Sequence, residues 1–301
     1  MLSVRGPVEA GAADTLNLED VVGASLKDRS AQRVASCPVC GRDAMAAPPA
    51  AGRDFFTCAD PACGLAFIHP QPTPPELEAL YRSLYYSPQK PNAGNTYQNT
   101  TEQISKYHIE ALRARGVDVA GRRVLDFGAG VGSFALAMRA LGAHVEAIEP
   151  DAEARQQMAA RGLTCYADVA ALRAAAPDAR FDLVTAITVL EHLDAPVRQL
   201  AELRELLVPN GCLFATTPNF DSFRARVQGY AWDQYQNPTH LFFFTPASLP
   251  RVLRRAGFGR VERLPVRVTY PAHNPARRAL QHGLQRAGLD GDIWELAYNT
   301  P

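Results

Sequence analysis

Between residues 122 and 218, short apolar runs alternate with stretches of helical periodicity, and no other feature of the chain restricts its fold as much. RRVLDFG (122–128), HVEAIEP (144–150), LTCYADV (163–169), FDLVTAIT (181–188) and GCLFATTP (211–218) read as strands. Helices are predicted over 133–141, 151–161 and 195–207, the second ending at Gly162 and the third before Pro209-Asn210-Gly211. Strands alternating with helical segments of about 10–15 residues imply a parallel, doubly wound sheet with helices on both faces. Two more helices are predicted upstream: 76–90, up to Pro88, and about 101–115, where Ile104, His108, Ile109 and Leu112 share a face.

The first of these strands runs into VLDFGAGVGSF, which places Gly128, Gly130 and Gly132 where a strand turns into a helix. Glycines there let the backbone approach a ligand, and the helix start offers unpaired N–H groups to negative charge. The spacing is GxGxG. The third glycine of a dinucleotide-binding GxGxxG would fall on Ser133, which disfavours a nicotinamide cofactor. Asp126, two residues before the first glycine, is a poor neighbour for pyrophosphate and suits a cationic ligand. Glu149 ends the second strand, where a carboxylate can accept from both hydroxyls of a ribose. Asp168 ends the third, within reach of an adenine amino group. The competing reading is a tight turn with acids that cap helices.

VLDFGAGVG, VEAIEP, YADV and FDLVTAITVLEHL, in that order, resemble the motifs of class I S-adenosylmethionine-dependent methyltransferases of small-molecule type. HLFFFTPASLPRVLRRAGF (240–258) is similar to a segment of the small-molecule members, and the resemblance covers roughly residues 100–300. It implies an α/β fold with a doubly wound, seven-stranded Rossmann-like sheet whose final strand is antiparallel. FGRVERLPVRVTY and GDIWELAYNT would supply the last two strands. It also implies S-adenosylmethionine as cofactor. Asp126, Gly128 and Gly130 would line its methionine side, Glu149 its ribose, and Asp168 with Val169 its adenine, while Ile187 packs alongside and Tyr97 closes over the methionine carboxylate. Ala129, Gly132 and Pro150 belong to the same cofactor-binding set. The chain departs from the pattern at one point. Quinone-type O-methyltransferases of this kind carry Glu-x-x-Glu-His after the fourth strand, and here the segment is Thr188-Val-Leu-Glu191-His192. Loss of one anionic ligand weakens a hard-cation site, so no catalytic magnesium is expected. Glu191 and His192 are expected to begin a helix or to contact substrate.

Upstream lie two knuckles, Cys37-Pro-Val-Cys40-Gly and Cys58-x4-Cys63-Gly. Four thiolates on two tight turns supply the soft, tetrahedral set that a structural zinc ion needs, and the glycines permit the left-handed backbone of such turns. The N-terminus has no apolar run of signal-peptide type, and no stretch approaches the ~20 apolar residues that span a bilayer. A cytoplasmic location follows as the expectation. Thiols stay reduced there, which favours metal over disulfides. Cys165 and Cys212 fall in strands and read as core residues. Phosphate binding needs a basic surface, but residues 37–75 set Arg42 and Arg53 against Asp43, Asp54 and Asp60, and the whole chain balances 31 Lys+Arg with 31 Asp+Glu. Nucleic acid is therefore not expected as a partner, nor is a membrane. CGLAFIHPQPTPPELEALYRSLYY resembles the ribbon that precedes the catalytic domain in bacterial small-molecule methyltransferases, sugar C-methyltransferases among them. That resemblance implies a structural or substrate-covering role.

The organisation expected is a mobile leader (1–34), a zinc ribbon (35–75), a helical linker and cofactor lid (76–100) and a methyltransferase domain (101–301). With 47% hydrophobic residues the chain can bury such a core. In a doubly wound sheet, insertions beyond strand C-termini build the substrate pocket, which singles out YAWDQYQNPTHLFFFT (230–245). His240 has the ionisation range of a general base, Tyr235 could orient a substrate, and the alternative for His240 is a packing or capping role. The function expected is in-line methyl transfer from S-adenosylmethionine to a small-molecule acceptor: a sugar, a quinone-like compound or a secondary-metabolite precursor. The other readings are a non-catalytic cofactor-fold module whose ribbon binds nucleic acid or protein, an RNA or DNA methyltransferase, and a nicotinamide oxidoreductase.

Overall fold

The computed structural model describes residues 36–50, 52–85, 105–265, 280, 283–284 and 286–301. The leader, Tyr97 and most of the linker lie outside them. The chain first forms three antiparallel strands, β1 (Ala44–Ala50), β2 (Arg53–Cys58) and β3 (Ala66–Ile68). Helix α1 (Pro74–Tyr85) follows. Its start is fixed by a capping box: Glu76 Oε2 accepts from the backbone N–H of Thr73 at 2.7 Å and from its hydroxyl at 2.6 Å. Of α2, residues 105–113 are described.

The larger unit then alternates as the apolar pattern requires. Its elements are β4 (Arg123–Phe127), α3 (Ser133–Ala140), β5 (His144–Ile148), α4 (Ala152–Ala160), β6 (Thr164–Tyr166), α5 (Val169–Ala175), β7 (Phe181–Ile187), α6 (Pro196–Glu205) and β8 (Leu207–Pro218). Short helices α7 (Phe223–Gln228) and α8 (Asp233–Gln236) lead to β9 (Phe242–Phe243), then α9 (Ser248–Arg255), β10 (Arg260–Leu264) and β11 (Asp292–Tyr298).

Seven strands form one sheet in the order β10-β11-β8-β7-β4-β5-β6. Strands β4 to β8 are parallel, and β11 runs antiparallel to both β8 and β10. Leu125, Val184, Ala186, Leu213, Phe214 and Ala215 are fully buried at its centre. From β4 the order proceeds through β5 to β6 on one side and through β7 to β8 on the other. The crevice at this switch point, outside the C-terminal ends of β4 and β7, is where open α/β sheets bind ligands.

One feature differs from the expectations. The third strand stops at Tyr166, and Asp168 instead caps α5, accepting from the N–H of Ala171 at 2.7 Å. Asp competes well for such N-cap positions, so the strand yields to a helix. His108, on the same helical face as Ile109 and Leu112, is buried in contact with Phe134, Phe214 and Trp294, and burial lowers its pKa to about 4. The N-terminal module draws on the larger unit. Its sheet has the order β1-β2-β3-β9, so the fourth strand comes from the insertion after β8. Ala66 pairs with Phe243 and Phe67 with Phe242, and Phe55 packs against Tyr235 and Phe243. Arg251 of α9 adds an ion pair to Asp60 at 2.9 Å.

Candidate functional site

The glycine loop leaves β4 with left-handed backbone at all three positions, φ being 73° at Gly128, 55° at Gly130 and 80° at Gly132. It is tied to the end of β5, where the carbonyl of Ile148 accepts from the N–H of Gly128 at 2.8 Å and of Ala129 at 3.1 Å. Glu149, the next residue, is buried and completes the tie. Its Oε2 accepts from the N–H of Gly130 at 2.8 Å and its Oε1 from that of Asp151 at 2.9 Å. A carboxylate has about four acceptor positions, and these two bonds take up one on each oxygen. Asp126 is buried at the end of β4. Its Oδ1 accepts from the Thr185 hydroxyl at 2.7 Å, whereas Oδ2 has no partner among the described residues. Burial pushes its pKa up to about 6. An unmet acceptor at this place fits a ligand that brings a donor or a positive charge.

Of the other residues expected to bind cofactor, Ile187 is half-buried at the end of β7, Val169 is half-buried in the first turn of α5, and Pro150 is exposed beside Glu149. Asp168 is exposed and one of its oxygens is engaged by the helix cap. The exit from β7 folds over the loop. Thr188 adopts φ 52°, rare for a β-branched residue, and Val189 then lies so close to Gly128 that a Cβ there would sit 2.5 Å from Val189 Cγ2. Gly128→Ala is expected to destabilise the protein by about 2 kcal/mol, through left-handed strain and overpacking. Urea denaturation checks it, and an unchanged midpoint would contradict this packing.

Beyond Val189 a 3-10 turn (Leu190–His192) presents the two groups left from the shortened acidic motif. Glu191 is buried, accepts from the Thr217 hydroxyl at 2.9 Å, and has its pKa pushed up to about 8 by burial. His192 is half-buried. Its Nδ1 lies 3.0 Å from the carbonyl oxygen of Thr239, which can only accept, so Nδ1 carries the proton. Nε2 is left as a lone-pair acceptor 3.9 Å from Glu191 Oε1, with no hydrogen-bond partner among the described residues. Burial lowers the His192 pKa to about 4. Its ring lies against His240 at 4.6 Å and Tyr81 of α1 at 5.7 Å.

His240 is placed differently from the expectation. It is buried; Nδ1 donates to the carbonyl of Gln234 at 3.1 Å, and Nε2 accepts from the amide of Asn237 at 3.0 Å. Burial, His192 and Arg53 all hold it well below the usual histidine range. Both nitrogens are spoken for, so its geometry is that of a packing residue and not of a free base. Tyr235 likewise sits inside an aromatic cluster with Phe55, Phe220, Trp232 and Phe243. His192 is one of the two residues expected to begin a helix or to contact substrate, and with Glu191 it lies in the 3-10 turn after β7. The pattern of the chain does not single it out as a base, because its tautomer is set by the carbonyl of Thr239.

In the N-terminal module the sulfurs of Cys37, Cys40, Cys58 and Cys63 all lie within 4.8 Å of one another. A tetrahedron of Zn–S bonds of about 2.3 Å has edges of about 3.8 Å, so the set matches a zinc ion in number, chemistry and spacing. Gly41 and Gly64, which follow the second cysteine of each knuckle, are left-handed, with φ 71° and 57°. A hydrogen bond from the Cys63 thiol, with the N–H groups of Cys40 and Val39, lowers the Cys37 pKa against the effect of burial.

A profile of the methyltransferase domain matches residues 99–262. A ubiquinone biosynthesis O-methyltransferase of Cereibacter sphaeroides is 36% identical over 176 residues, covering 54% of this chain and 70% of that protein. The enzyme of the same description from Aromatoleum aromaticum is 33% identical over 183 residues, covering 55% and 78%. Among solved structures, the Burkholderia thailandensis 1,6-didemethyltoxoflavin-N1-methyltransferase aligns with a TM-score of 0.51 and 19% identity over 85% of this chain and 100% of that one.

Proposed function

The chain belongs to the S-adenosylmethionine-dependent methyltransferases through its methyltransferase domain at residues 99–262, and on that premise we propose that it methylates a hydroxyl of a small, quinol-like acceptor. The observation that carries the cofactor side of this reading is the pairing of Glu149, tied to the glycine loop, with the unsatisfied Oδ2 of buried Asp126. Together they offer acceptors to a ribose and to a cationic amino-acid end. The cofactor, when bound, supplies a methyl group on a sulfonium centre, already activated for displacement. Asp126, Gly128, Ala129, Gly130, Gly132, Glu149, Pro150, Asp168, Val169 and Ile187 are the residues proposed to hold it. Tyr97 stays a proposal from sequence, since it lies outside the described residues. On the acceptor side, His192 Nε2 takes the hydroxyl proton as the oxygen attacks. The cofactor, when bound, would supply the methyl group to that oxygen and would leave as the neutral thioether.

The relatives named as ubiquinone biosynthesis O-methyltransferases make a short-chain demethylated quinol the first acceptor to assay. S-Adenosylhomocysteine should bind with micromolar affinity, on the order of 7–8 kcal/mol. Glu149→Ala should weaken it by about 2 kcal/mol, roughly 30-fold, as loss of charged hydrogen bonds does. Calorimetry decides. Unchanged affinity in the variant, or tighter binding of NAD than of S-adenosylhomocysteine to the parent, would overturn the cofactor assignment.

The four cysteines are proposed to hold one structural zinc ion. A nucleic-acid role for that module has little support, because Arg53 is buried in the interior and Arg42 is left to act against exposed Asp43 and Asp54. No helix among the described residues is long and apolar enough to cross a membrane. A cytoplasmic setting, where thiols stay reduced, is proposed with the zinc.

A further inference from the structure

The N-terminal module buries a cation that forms no ion pair among the described residues. Arg53, on β2, is 3% exposed. Its Nη1 donates to the carbonyl of His240 at 3.0 Å and its Nη2 to the carbonyl of Tyr235, while Nε has no acceptor among the described residues. The guanidinium carbon lies 5.5 Å from the centre of the Phe55 ring. A buried charge without a counter-ion is unfavourable unless its remaining contacts are specific. The carbonyl of Tyr235 lies in α8 and that of His240 in the turn leading into β9, so the two bracket Asn237 and Thr239. Thr239 is the residue whose carbonyl fixes the His192 tautomer. The same turn is stitched to the module by the N–H of Ile68 donating to Leu241 at 3.0 Å and by the pairing of β3 with β9.

At its other end β2 finishes at Cys58, whose N–H donates to the carbonyl of Leu65 at 2.9 Å, so the strand that starts at Arg53 ends on one of the four cysteines. The glycine loop has no share in these contacts. Its ties run to Ile148 and Glu149.

We propose that Arg53 is a positioning residue that couples the metal state of the four-cysteine site to residues 235–243. Loss of the metal then loosens the acceptor wall around His192 and leaves the cofactor loop in place. The inference rests on the zinc and methyltransferase readings, and its test keeps the three apart.

Deuterium exchange followed by mass spectrometry on the full chain would compare the parent, the chelated parent, Arg53→Gln and Arg53→Lys. Metal content and S-adenosylhomocysteine affinity would be measured on the same samples. Chelation and Arg53→Gln should each speed exchange in 232–245 by roughly tenfold or more, with 123–150 and cofactor affinity changing less than about twofold. Arg53→Lys, which restores a charged donor, should recover most of the protection. Unaltered exchange over 232–245 in the chelated parent or in Arg53→Gln would overturn the coupling. Loss of cofactor affinity in parallel would also overturn it, since the module would then serve global stability alone. If Arg53→Gln does not fold, the chelated parent and Arg53→Lys decide. A parent without metal sinks the zinc reading and the coupling together. A parent that holds metal but does not bind S-adenosylhomocysteine sinks the methyltransferase reading, while the exchange result over 232–245 still stands.

Discussion

Replacing His192 by alanine is expected to cut turnover at least about 100-fold with S-adenosylhomocysteine affinity nearly unchanged, because a positioned base typically contributes 100- to 10,000-fold. The expectation follows from the hydrogen bond of Nδ1 to Thr239, which leaves the Nε2 lone pair open, and from the position of the residue just beyond the C-terminal end of β7. His240→Ala should cost less than about tenfold, since Nδ1 already carries a proton and Nε2 can take one only by giving up its bond from Asn237.

The pH dependence has a definite sign. His192, lowered to about 4 by burial, is neutral and ready to accept through the physiological range. The imidazolium it becomes is favoured when Glu191, 3.9 Å away, is ionised. Burial raises the Glu191 pKa to about 8, so its charge appears as pH rises through that value. Turnover should therefore climb through about pH 8, and Glu191→Gln should remove that limb. Steady-state kinetics with the quinol acceptor checks both. If His192→Ala keeps more than a tenth of parental turnover, alignment alone carries the reaction.

The second large effect concerns the metal. Purified protein should contain one zinc per chain, and Cys40→Ser should lose it. Structural zinc supplies about 10–16 kcal/mol of apparent binding free energy, and since the four thiolates are brought together only on folding, that is folding free energy. The variant should become open to protease across residues 37–75 while the seven-stranded sheet persists. Metal analysis with limited proteolysis measures this. Well under half an equivalent of zinc in parent prepared without chelator would refute it.

Much of the larger sheet is legible in the sequence because its parallel strands are buried on both faces and so read as continuous apolar runs. The glycine loop and Glu149 are legible for a related reason, as their roles are local to strand ends. Asp168 was read one structural state away, since a short strand and a helix cap compete for the same few residues. His240 and His192 were distinguishable only by what their ring nitrogens touch. Their partners, Gln234, Asn237 and Thr239, lie in an insertion with no period to read. Arg53 was counted as a surface charge, and its real partners are carbonyls, which no residue type announces; His240 lies 187 positions further along the chain.

The shared strand β9 also governs how the molecule can be made and taken apart. During synthesis the cysteine module emerges first, but β3 waits with an open edge until the residues that pair with it have left the ribosome, and such edges invite wrong partners. The module is therefore a poor candidate for excision or for grafting onto another enzyme, because cutting the chain after β3 leaves its fourth strand behind.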